Sequence, residues 1–258
     1  MAHGKFVWYE LMTNDTKAAE AFYRNVIGWN AKDSGMPGMS YTIWSAGEAP
    51  VGGLMEVPKE ARDAGARPGW IGYVEVDNVD ASAAKAKQDG GVIHRAADDI
   101  PGVGRFAVIA DPGGATLCLF KGTSEPQMPT PAPGTPGTVG WRELYAADLG
   151  AAFAFYAKLL GWTKADAMDM GPMGIYQMFA TGGETVGGMM TKPPAVPAPC
   201  WLYYFNVDAI DAAASRVQAG GGAILNGPME VPGGTHIVQL MDPQGAAFAL
   251  HSGIVKTP

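Results

Sequence analysis

The sequence predicts an α+β fold of four βαβββ modules, arranged as two domains with cup-shaped, mostly antiparallel mixed sheets. Three observations predict it. Residues 8–29, WYELMTNDTKAAEAFYRNVIGW, recur as WRELYAADLGAAFAFYAKLLGW at 141–162. The later pairs Val51-Gly52-Gly53 with Val186-Gly187-Gly188, Pro101 with Pro232, and Asp111-Pro112 with Asp242-Pro243 follow in the same order. Between the copies lies GTSEPQMPTPAPGTPGTV, whose five prolines suit neither a helix interior nor a sheet ladder. The expected organisation is a first domain over 1–121, a linker over 122–139 and a second domain over 140–258.

Each element of the first half has a local reason. Phe6 to Leu11 is β-rich, and Asp15 stands where an N-cap belongs. Ala18, Ala19, Phe22, Val26 and Ile27 then recur at helical spacing until Gly28 stops the helix. Met39 to Trp44 and Val51 to Met55 read as strands between Gly/Pro turns. The pattern restarts with a strand over Trp70 to Val76, a helix opened by Asp80 and closed at Gly90-Gly91, and strands over Phe106 to Ala110 and Thr116 to Phe120. The turn Asp111-Pro112-Gly113-Gly114 joins the last two.

Bulk properties narrow the function. The net charge of −7 and the lack of any Lys/Arg cluster oppose nucleic-acid or anionic-membrane partners, which need a basic face. Charged residues make up 17%, below the usual ~25%. Two cysteines, Cys118 and Cys200, cannot staple a secreted scaffold. No signal peptide or membrane-length apolar run is read, so a cytoplasmic protein is expected.

The runs DTKAAEAFYRNVIGW, VDNVDA and DPGGATLCLF resemble the glyoxalase/bleomycin-resistance/extradiol-dioxygenase superfamily, the vicinal oxygen chelate fold, and the resemblance occurs in both halves. The resemblance implies paired βαβββ modules curled into a ligand-holding cup, often with a divalent metal. It also implies metal ligands at marked places. The first-strand place, fifteen residues before the Tyr of the Phe-Tyr pair, holds Trp8 and Trp141. The place seven residues after the Asp of the closing turn holds Cys118 and Ala249. The fifth-strand place falls at Ile71 and Leu202, and the fourth near Met55–Glu56 or Met190–Thr191. Indole and alkyl groups supply no metal donors. No metal is therefore expected at these places, and no other cofactor is implied.

Strand alternation from Trp8 turns Phe6, Trp8 and Glu10 toward the cup and Val7, Tyr9 and Leu11 under the helix. Val139, Trp141 and Glu143 follow suit, as do Thr116, Cys118 and Phe120 with Ala247, Ala249 and His251. Glu10 and Glu143 are the candidate catalytic residues, acting as general acid or base or orienting a polar ligand. The alternative is that they accept hydrogen bonds from backbone or from an Arg such as Arg105. Trp8, Trp141, Tyr41, Tyr176, Arg105, His236 and Cys118 are candidate ligand contacts. For the tryptophans, plain core packing is the competing reading. His236 matches Arg105 in position, so both copies carry a nitrogen-rich donor there.

The expected function is metal-independent binding of, or action on, an apolar or aromatic small molecule. A metal-dependent lyase or dioxygenase with relocated ligands (Glu10 or Glu56 with a histidine) is one alternative, and a protein-interaction scaffold another. A monomer or homodimer is expected.

Overall fold

A computed structural model describes residues 3–36, 38–123 and 131–253. The first repeat runs β1 (Phe6–Thr13), α1 (Thr16–Ile27), β2 (Asn30–Asp33), β3 (Thr42–Ala46), β4 (Ala49–Glu56), α2 (Lys59–Asp63), β5 (Gly69–Glu75), α3 (Val79–Gln88), β6 (Val92–Ile100), β7 (Gly104–Ala110) and β8 (Thr116–Gly122). The second runs β9 (Val139–Ala146), α4 (Leu149–Leu160), β10 (Thr163–Asp169), β11 (Ile175–Thr181), β12 (Glu184–Thr191), β13 (Cys200–Asn206), α5 (Ile210–Ala219), β14 (Ala223–Val231), β15 (Thr235–Met241) and β16 (Ala247–Ser252). The α+β expectation holds. Two eight-stranded mixed sheets follow the repeats, ordered β2-β3-β4-β1-β5-β8-β7-β6 and β10-β11-β12-β9-β13-β16-β15-β14. Strands β2, β6, β10 and β14 complete the modules; all four are short of apolar alternation, which hid them in the sequence. The α3 N-cap is Asn78, two residues before the expected Asp80. Of the expected linker, residues 124–130 lie outside the described residues. Among the described residues no helix is long and apolar enough to cross a membrane.

The helices begin and end for local reasons. Asp15 accepts a hydrogen bond from the Ala18 amide at 3.0 Å, and Asp148 from that of Ala151 at 2.7 Å. Gly28 and Gly161 close α1 and α4 at φ 89° and 71°, a left-handed conformation that glycine adopts at no steric cost.

Packing does not follow the repeats. One compact unit comprises Met1–Trp8, Ile71–Gln127 and Trp141–Trp201; the other comprises Tyr9–Trp70, Met128–Gly140 and Leu202–Pro258. Each therefore unites one module from either repeat. In the first unit, Trp162 stacks between Tyr156 (5.0 Å) and Phe179 (4.5 Å), with Trp201 edge-on. Phe6, expected toward the cup, instead stacks on Trp162 at 5.5 Å. Val7, expected under the helix, is 38% exposed. Both departures share one cause: the start of β1 packs with second-repeat aromatics, which alternation within one repeat does not include.

The second unit repeats this core with Tyr23, Trp29, Trp44, Trp70, Phe205 and Phe248. In each unit a buried tyrosine sits between a tryptophan and an aspartate. Tyr23 accepts from Trp70 Nε1 (3.0 Å) and donates to Asp242 (3.1 Å). Tyr156 accepts from Trp201 Nε1 (3.2 Å) and donates to Asp111 (3.1 Å). Asp111 Oδ1 also accepts from the Gly113 and Ala115 amides, and Asp242 Oδ1 from those of Gln244 and Ala246. The repeated Asp-Pro turn is thus tied to the core aromatics.

One buried donor breaks the pattern. Trp44 is fully buried and its Nε1 has no hydrogen-bond partner. The equivalent place in the second repeat holds Phe179, which has no N–H to satisfy. Trp44→Phe should therefore change stability by less than about 1 kcal/mol, because relief of the unmet donor offsets lost packing. Trp70→Phe, which strips Tyr23 of a donor, should cost about 2 kcal/mol. Urea denaturation of the two variants side by side checks the contrast.

Candidate functional site

The most developed cluster lies in the first compact unit, where β9 and β12 run parallel with Glu143 opposite Gly188. Trp141, Glu143 and Tyr145 alternate onto one face of β9. Tyr176, from β11, covers Gly188: a Cβ there would lie 2.2 Å from the Tyr176 ring. Gly187 is forced from the opposite side, since its Cβ would lie 2.5 Å from the Phe179 ring. The repeated Val-Gly-Gly motif thus lets one aromatic close on each face of the sheet. In the other unit, a Cβ on Gly53 would lie 1.9 Å from the Tyr41 hydroxyl, and Gly53 is the register partner of Glu10.

The Tyr176 hydroxyl accepts from Trp141 Nε1 at 2.7 Å and hydrogen-bonds Glu143. Burial, reinforced by the Glu143 charge, raises the Tyr176 pKa well above its usual value. Glu143 is 7% exposed, and Trp141 is half-buried at the edge of the cluster. Burial and then Glu143 push the Cys200 thiol up to about 11, with Lys192 partly opposing them. Cys200 is accordingly a neutral thiol near pH 7, not a nucleophile.

Of the residues expected at a site, this brings together Trp141, Glu143 and Tyr176. Glu10 is also buried and belongs with Tyr41 to the second unit, whereas Trp8 belongs to the first. Arg105 lies elsewhere: its guanidinium forks onto Asp80 in the first turn of α3 (2.7 and 2.8 Å) and reaches Asp99 at 2.9 Å. These carboxylates raise its pKa further. His236 is exposed on β15, and Cys118 is fully buried opposite Tyr73 on β5. Tyr145 and Cys200 were not among the sequence candidates. Alternation from Trp141 pointed to Tyr145, but nothing in the sequence placed Cys200 near Glu143.

The donor set does not fit the metal implied by the resemblance. Ile71, Leu202, Cys118 and Ala249 are buried without an oxygen or imidazole donor among them, and Trp8 and Trp141 are indoles. Among the described residues no group of three or more His, Cys, Asp or Glu side chains is placed to hold an ion.

Comparison with known proteins agrees with this architecture. The family model for the Glyoxalase/Bleomycin resistance protein/Dioxygenase superfamily matches residues 5–119 and 138–250. A Mycobacterium tuberculosis protein named as a glyoxylase, CFP32, is 33% identical over 246 residues, covering 94% of this chain and 92% of its own. The anthracycline biosynthesis protein DnrV of Streptomyces peucetius is 32% identical over 263 residues, covering 96% and 93%. The fold resembles that of the Mn(II)-bound glyoxalase from Novosphingobium aromaticivorans (TM-score 0.64, 18% identity, 96% of this chain and 81% of that one). It also resembles homoprotocatechuate 2,3-dioxygenase from Brevibacterium fuscum (TM-score 0.67, 14% identity, 98% and 83%). With both repeats matched, the chain belongs to the glyoxalase/bleomycin resistance protein/dioxygenase superfamily.

Proposed function

We propose that the chain binds a planar aromatic or apolar small molecule on the Trp141–Glu143–Tyr176 face, without a metal at the superfamily's usual places. The observation that carries this is the buried carboxylate of Glu143, held by a tyrosine that a tryptophan in turn clamps. A buried carboxylate is costly to desolvate and is kept where a partner gains from it. Here the Tyr176 bond fixes the orientation of the carboxylate, and a ligand O–H or N–H stacked beside Trp141 is the kind of donor that this orientation selects. Trp141, only half-buried, offers an aromatic face for stacking. Where the bound compound carries an acidic proton, Glu143 is the base that accepts it. The name of the DnrV relative, which concerns anthracycline biosynthesis, is compatible with an aromatic ligand.

Calorimetric titration of a panel of planar aromatic hydroxy compounds tests this. Saturable binding is expected, unchanged by chelator. Trp141→Leu should weaken it about tenfold, equivalent to ~1.4 kcal/mol. Glu143→Gln should weaken hydroxylated compounds but not their methyl ethers. Affinities untouched by both substitutions, or binding abolished by chelator, would sink the proposal.

A further inference from the structure

The helix-covered face of the same unit holds a groove of about 330 Å³ between α4 and the β10–β11 hairpin. Leu149 and Phe153 line it from the helix, and Lys164, Ile175 and Gln177 from the strands. Ile175 and Gln177 flank Tyr176 in sequence, so alternation places this groove on the opposite side of β11 from the Trp141 face. Its apolar side chains are not a requirement of the fold. The first repeat is an internal control, carrying Thr16 for Leu149, Glu20 for Phe153, Ala31 for Lys164 and Ser40 for Ile175. There Glu20 lies 3.6 Å from Arg24 on an ordinary charged helix surface.

The strand wall of the groove is shaped by an irregularity in β10. The register of β10 shifts between Lys164 and Ala167, a bulge that re-aims the neighbouring side chains. Gln177, 8% exposed, fastens that bulge by donating from Nε2 to the carbonyls of Ala165 (2.9 Å) and Asp166 (3.2 Å). Lys164 Nζ stands 5.3 Å from the centre of the Phe153 ring, so a cation marks one end of an apolar trough. Ile175 remains 45% exposed at its edge.

We propose that this groove is a second binding site, for a small apolar carboxylate whose hydrocarbon lies on Leu149, Phe153 and Ile175 and whose carboxylate meets Lys164. A volume at the lower end of the ~300–1,000 Å³ typical of small-molecule pockets favours such a ligand over a protein helix. The single cation selects a monoanion.

Sodium octanoate is the probe, with octan-1-ol as its uncharged counterpart, titrated by calorimetry into the full chain. One-to-one binding of octanoate is expected. The exchange Leu149→Thr with Ile175→Ser, which installs first-repeat residues at semi-exposed positions, should weaken it about tenfold. Lys164→Ala should weaken octanoate and leave octanol unaffected, and Trp141→Leu should change neither. Absence of saturable octanoate binding at millimolar ligand overturns the proposal, as does binding indifferent to all the groove variants. Sedimentation showing a wild-type dimer that the double exchange disperses would overturn it in favour of a second copy of the chain. Octanoate binding lost in Trp141→Leu but kept in the groove variants would assign the ligand to the other face.

Discussion

Asp242→Ala is expected to lower stability by roughly 3–5 kcal/mol, because one carboxylate serves the Tyr23 hydroxyl and two turn amides, and all three donors are left buried. Asp111→Ala should cost a similar amount through Tyr156, Gly113 and Ala115. Asn at either place keeps the acceptor for the turn amides and should cost less. These carboxyls carry a pH signature. Burial raises both above the usual 3.8, although the hydrogen bonds they accept pull the other way. A carboxyl whose folded pKa exceeds its unfolded value binds its proton more tightly in the folded state. Its contribution is therefore full in acid and lost as pH rises from the usual value through the raised one. The stability of wild type relative to Asp242→Asn should fall across that window and level off above it. Urea melts of both proteins over a pH series measure the difference, and a flat difference would contradict the burial effect.

Cutting the chain in the proline-rich segment should not separate its two halves. Each compact unit contains a module from either repeat, so neither half carries a complete unit. A protease site introduced at Pro126 and cleaved in the folded protein should give two fragments that co-elute at the mass of the intact chain, with unchanged near-UV dichroism. After denaturation and separation, either fragment alone should show much-reduced cooperativity on refolding, since its aromatic core lacks partners. For residues 1–126 these are the second-repeat Phe205 and Phe248 against Trp29, Trp70 and Tyr23. Fragments that part on cleavage and fold as independent monomers would contradict this.

The grouping of the candidate cluster was partly legible in the residues. Trp141, Glu143 and Tyr176 recur in both repeats at matching places, and strand alternation alone put the first two on one face. Arg105 was not, because its nearest carboxylates, Asp80 and Asp99, come from a helix and a strand whose approach depends on how α3 lies on the sheet. The proximity of Cys200 to Glu143 was not legible either, because it required the pairing of strands β9 and β13, far apart in the chain.

Local and periodic properties were determined by the sequence itself: the repeat, the capped helices ended by Gly28 and Gly161, and the glycine pairs that admit an aromatic on each side of a strand. The helix caps depend on residues within a few positions of one another, and the repeat and its glycine pairs are visible by comparing the two halves, so none of these needs the tertiary fold to be seen. Only the tertiary structure decided which modules pack together. The sequence boundary between the repeats is not the boundary between compact units, and Phe6 and Val7 point otherwise than alternation within one repeat required. The physical reason is that two copies of one ancestral module expose nearly the same apolar face. Repeat similarity makes either pairing chemically acceptable, and the choice rests on long-range fits such as Phe6 on Trp162, to which no short stretch of sequence refers.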